Sequence, residues 1–159
     1  MLETSNRIIV ELLDQQFDRL IEGLRILTVS TPSNLLYEQH AAPSIGENIL
    51  KSAGAIEQTF GGITANLWDD PFEWTLPETL STDARVLEYL AEVNSLKNRA
   101  FASFTDDGML LKLISIPSGK PCSLLELLLT TMLRASDYRG GAAATLKLLS
   151  GEDGTRFII

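Results

Sequence analysis

The stretch SLLELLLTTMLRASDYRGGAAATLKLLS, residues 123–150, is where the fold is read most directly. Its first part, LLELLLTTML, carries apolar side chains nearly all round a helix, the pattern of a helix enclosed by others. The expectation is that this is the most buried helix of the set. Ser123 and Glu126 precede the run with capping-box spacing, in which hydroxyl and carboxylate each satisfy a backbone amide that the first turn leaves free. The helix ends near Gly151. Arg134 and Tyr138 stand one turn apart on one side of it. Two large polar groups sharing a face of an inward-looking helix mark a candidate site.

Working outward, three more segments carry a helical period. Residues 6–28 place Ile9, Leu13, Phe17, Leu20, Leu24 and Leu27 on a stripe, with Glu11, Asp14, Asp18, Glu22 and Arg25 between them. Pro32 and Pro43 bracket the irregular connection that follows. Ser44 and Glu47 form a first capping box, and Ile45, Ile49, Ala53, Ile56, Phe60, Ile63 and Leu67 continue the stripe. Gly61 and Gly62 are expected to weaken its last turns. The loop DDPFEWTLPETLS is expected to pack across one end of the molecule. A third helix opens at Ser81-Thr82-Asp83, any of which can cap, and carries Val86, Leu90, Val93, Leu96, Phe101 and Phe104. LLKLISI and the turn-forming PSGK then predict a short strand or hairpin. The fold class is therefore all-α: a four-helix bundle with a short extended or hairpin segment before the last helix. One domain is expected over residues 1–151, with a tail at 152–159.

Composition narrows the partners. Asp and Glu outnumber Lys and Arg by 21 to 13 over 159 residues, a net charge of −8. That balance repels a phosphate backbone or an anionic bilayer, and no basic stripe offsets it. Nucleic-acid and membrane partners are not expected. Charges interrupt the apolar runs well short of the ~20 residues of a membrane span. The first residues lack the basic leader and cleavage site of a signal peptide. Cys122 is the single cysteine, so no internal disulfide is possible and a reducing cytoplasm is the expected location.

In this arrangement the chain resembles the DinB/YfiT-like four-helix-bundle proteins over nearly its whole length. LLDQQFDRLIEGLRIL is similar to that family's opening helix, PSIGENILK to the start of its second, and IPSGKPCSLLELLL to the approach to its fourth. The family writes His, three residues, then His-Arg-Gly-Gln in the fourth helix; this chain writes Arg134, Ala135, Ser136, Asp137, then Tyr138-Arg139-Gly140-Gly141. The resemblance implies a metal site of three histidines, one from the second helix and two from the fourth, and in some members a thiol transferase or isomerase. Carried over residue by residue, those positions are Lys51, Arg134 and Tyr138. Protonated Lys and Arg have no lone pair for a metal, and Tyr is an uncommon ligand. No metal and no cofactor are therefore expected.

Two readings of the vacated site stand side by side. In the first, Lys51, Arg134 and Tyr138 bind a small anionic ligand, two cations and a hydroxyl acting in a partly desolvated place. In the second they mark no site: Arg134 pairs with Asp137 or another acid, Lys51 reaches solvent, and Tyr138 fills the space. Two further functions are open. A thiol S-transferase or isomerase would need non-standard metal ligands drawn from His40, acids or a partner. A non-catalytic homodimeric interaction protein would use the smooth GGAAA strip, which lets a neighbour approach closely within the bundle or from a second copy. His40 as a general base and Cys122 as a reactive thiol are lesser candidates. Asp69-Asp70 and Asp106-Asp107 read as solvated turns rather than calcium loops.

Overall fold

The computed structural model of the chain describes residues 6–39, 43–71, 77–117 and 119–151. Among them the expected all-α bundle is present: α1 (Ile8–Ser30), α2 (Ile45–Ala65), α3 (Asp83–Ser103) and α4 (Leu124–Ser150). Between α3 and α4 lie a 3₁₀ turn (Asp107–Leu111) and a two-stranded hairpin, β1 (Leu113–Ile114) and β2 (Cys122–Ser123). The strands are antiparallel, pairing Leu113 with Ser123 and Ile114 with Cys122. Most of LLKLISI is thus turn or irregular, and only two of its residues are extended. His40, residues 72–76 of the 68–81 connection and the 152–159 tail fall outside the described residues.

Local signals set the helix boundaries. Ser44 and Glu47 form the complete capping box of α2, with Glu47 N donating to Ser44 Oγ over 3.1 Å. Thr82 caps α3 by accepting from Arg85 N at 3.3 Å. Ser123 caps α4 by accepting from Glu126 N at 3.1 Å, the first half of the expected box. Gly151 ends α4 in the left-handed conformation, φ 67°, that glycine adopts without a Cβ penalty.

The start of α1 is different, because its N-cap residue, Arg7, makes no side-chain cap. Asp107 does the capping from the far side of the sequence, accepting from Ile9 N at 3.0 Å and Val10 N at 2.9 Å. Arg7 in turn donates to the carbonyls of Phe101 and Phe104 at the end of α3. Each helix end therefore satisfies the other's orphan groups. This corrects the reading of Asp106-Asp107 as a solvated turn: both are half-buried, and Asp106 caps the 3₁₀ turn through Met109 N at 3.1 Å.

Phe17, Phe60, Phe101 and Phe104 meet at the centre, with ring centroids 5.1 to 5.9 Å apart, joining α1, α2 and α3. Lys97 is wholly buried beside them. Its ammonium lies 5.8 Å from the Phe101 centroid and pairs with Asp14 and Asp18 of α1, the former at 2.5 Å. Two acids that fall between the stripe residues thus tie α1 to α3. On α1, Ile9 is exposed and Val10 takes the inner position.

The most buried helix is α2, not α4. It buries 14 of its 21 residues, against 7 of 27 in α4. Small side chains explain the difference: Gly46, Ser52, Ala53, Gly54, Ala55, Thr59, Gly61 and Gly62 let neighbours close on α2 from several sides. The leucines of α4 are too numerous for one face, and Leu129, Leu133 and Leu148 project outward. Gly61 and Gly62 do not break α2 either. A Cβ on Gly62 would stand 2.2 Å from Trp68 Cε3, so this glycine seats the indole against the last turn.

Candidate functional site

The seam between α2 and α4 is the most extensive helix–helix contact. Its paired residues run in opposite order along the two helices: Asn48 against Gly141, Ser52 against Ala135, Thr59 against Thr131. Ser52 Oγ donates to the Ala135 carbonyl at 2.7 Å, and the hydroxyls of Thr59 and Thr131 bond each other at 2.5 Å. Short side chains and internal hydrogen bonds hold the helices close without leaving a buried polar group unpaired among the described residues. Gly141 of the GGAAA strip faces Asn48 inside the bundle, its Cβ position 3.1 Å from Nδ2, whereas Gly140 faces open space.

Beside this seam the structure brings Lys51, Arg134 and Tyr138 together on the lining of one cleft of about 390 Å³, with Ala55, Gln58 and Asp70. The i, i+4 spacing places Arg134 and Tyr138 on one face of α4, and Lys51, Ala55 and Gln58 follow a helical face of α2 at intervals of four and three. Asp70 comes from the segment after α2. Lys51, Gln58 and Tyr138 are half-buried, while Arg134 is exposed rather than inward-looking. Its guanidinium donates to Gln58 Oε1 at 3.1 Å and makes no ion pair among the described residues. The expected pairing with Asp137 does not form. A neutral amide partner fixes the fork while leaving its charge in place. Among the described residues the lining carries two cationic side chains, Lys51 and Arg134, and one carboxylate, Asp70.

Arg139, next along α4, serves the opposite side. It packs on Gly23 of α1, whose Cβ position lies 3.0 Å from Arg139 Nη1, and partial burial lowers the guanidinium's pKa.

A second cleft, about 280 Å³, adjoins the first and is also lined by Gln58 and Arg134. Trp68, Ile116, Pro117 and Leu127 give it apolar walls, with Thr59 and Thr131 among the remaining lining residues. Gln58 and Asp70 are the site residues that sequence reasoning missed. Gln58 lies seven residues from Lys51, a spacing that shares a helix face, so its signal was present; Asp70 reaches the cleft only through the path of a loop. Cys122 lies on β2, half-buried and unpaired by any disulfide. Among the described residues no three His, Cys, Asp or Glu side chains gather as a metal-ligand set, and no helix is long and apolar enough to cross a membrane. No known protein family, curated protein or solved structure matches the chain.

Proposed function

We propose that this is a metal-independent small-molecule-binding protein of the DinB-like kind, in which Lys51, Arg134 and Tyr138 receive an anionic ligand between α2 and α4. The observation that carries the reading is the convergence of these three side chains, from two helices, on a single cleft. Arg134 is held by Gln58 rather than neutralised by an acid, so an incoming carboxylate meets a preformed donor fork. Titration with acetate, followed by the side-chain Nε resonances of arginine, tests it. A hydrogen bond to a charged group contributes about 1.5–3 kcal/mol, so Arg134→Ala should weaken binding about tenfold or more. Equal affinity in the variant overturns the proposal. Metal analysis of untagged protein incubated with nickel and zinc should find far less than one ion per chain; stoichiometric metal would favour the thiol-transferase alternative.

A second reading, a cytoplasmic homodimer with an interaction role, draws support from Leu129 and Leu133, which stand 44% and 69% exposed on α4. Exposed apolar groups of this kind favour association. A monomeric mass by sedimentation at micromolar concentration overturns it.

A further inference from the structure

The two adjoining clefts differ in chemistry in a way that selects a ligand. The Lys51–Arg134–Tyr138 cleft is charged; its neighbour is walled by Trp68, Ile116, Pro117 and Leu127. Gln58 and Arg134 line both and are hydrogen-bonded to each other at 3.1 Å. The threonine hydroxyls of the second cleft are already engaged: Thr59 with Thr131, and Thr131 also with the Leu127 carbonyl at 2.9 Å. That cleft therefore offers contact surface more than hydrogen bonds. The charged cleft, about 390 Å³, lies at the small end of the range of ligand sites, about 300–1,000 Å³, and the second, about 280 Å³, extends it well into that range.

The guanidinium selects the head group. Arg134 makes no ion pair among the described residues and presents a planar donor fork that a carboxylate matches bidentately, with Asp70 in the same lining. A singly charged carboxylate fits that fork and meets less repulsion from Asp70 than a phosphate dianion would.

We infer that the ligand is an amphipathic monocarboxylate, its head between Lys51, Arg134 and Tyr138 and its apolar tail against Trp68, Ile116, Pro117 and Leu127. This rests on the anion-binding reading above. A straight-chain series from acetate through butyrate and hexanoate to octanoate, titrated by NMR with the Trp68 indole and arginine Nε resonances as local reporters, separates the two claims. Each methylene transferred into the second cleft should tighten binding by up to about fourfold. Ile116→Ser, on the irregular segment after β1, should flatten that slope, read as the ratio of octanoate to acetate affinity within the variant. Acetate that binds in an Arg134-dependent way with no gain for octanoate overturns this inference and leaves the anion site standing. Absence of binding by every member overturns both. Octanoate binding undiminished in Arg134→Ala places the ligand elsewhere and overturns the proposed orientation. Hexyl phosphate binding more tightly than heptanoate overturns the choice of head group.

Discussion

Gly62 and Gly140 are both interior helix glycines, yet alanine should act on them in opposite directions. In either helix the substitution gains about 1 kcal/mol of intrinsic propensity. At Gly140 nothing lies within 4 Å of the new methyl, so the gain should appear in full. At Gly62 the methyl would meet three carbons of the Trp68 ring at 2.2 to 2.4 Å. The nearest contact must open by at least about 1.2 Å to reach ordinary van der Waals separation, which begins near 3.4 Å. The indole is rigid, so the whole side chain must move. Its Nε1 bond to Asn66 Oδ1, 2.9 Å, and the bond from Gln58 Nε2 to its carbonyl, 2.9 Å, oppose that movement. Overpacking costs about 1–3 kcal/mol, and each strained bond adds about 0.5–1.5 kcal/mol. Set against the propensity gain, Gly62→Ala should destabilise by about 1–5 kcal/mol. Gly140→Ala should stabilise by about 1 kcal/mol, which for a chain of this size is a rise of about 2–4 °C in Tm. Urea and thermal melts of both variants provide the measurement. In a Trp68→Ala background the sign at Gly62 should reverse, and the coupling isolates the contact. If Gly62→Ala stabilises as much as Gly140→Ala while Trp68 is present, the indole is not seated on this glycine and the apolar wall of the second cleft has been misplaced.

Two further outcomes test contacts made across the sequence. Asp107→Ala should destabilise by about 1–2 kcal/mol through loss of the α1 cap, and hydrogen-exchange protection should fall at the Ile9 and Val10 amides first; unchanged exchange there refutes the cap. Tyr37 donates to the Leu80 carbonyl at 2.6 Å, and burial, then the nearby Glu47 charge, push its pKa up from 10 to about 12. Its favourable contribution should be complete below pH 10, where both states hold the proton. It should fall as pH rises from 10 to 12, because the unfolded state ionises first and the folded state follows. The stability difference between the chain and Tyr37→Phe, read from urea midpoints across that window, should shrink with rising pH. A constant difference rules out the shift.

The four helices and most of their boundaries were legible because both depend on near neighbours. A stripe needs residues three and four apart, and a cap needs a hydroxyl or carboxylate three residues before the amide it satisfies. Ser44, Thr82 and Ser123 therefore act where their local sequence places them. The common face of Arg134 and Tyr138 was legible for the same reason, and the alignment of Lys51 opposite them came from the family resemblance.

What the sequence alone determined is thus the all-α class, the helix order, the short hairpin and the candidacy of Arg134 and Tyr138. Tertiary structure alone decided which helix is central, because enclosure of α2 depends on neighbours closing over its small residues rather than on its own apolarity. It decided that Asp107 caps α1, that Asp14 and Asp18 serve a buried Lys97, and that Gln58 and Asp70 join the cleft. Each of these is a partnership between elements distant in the chain. Local periodicity carries no record of such pairings; the packing of one helix on another creates them.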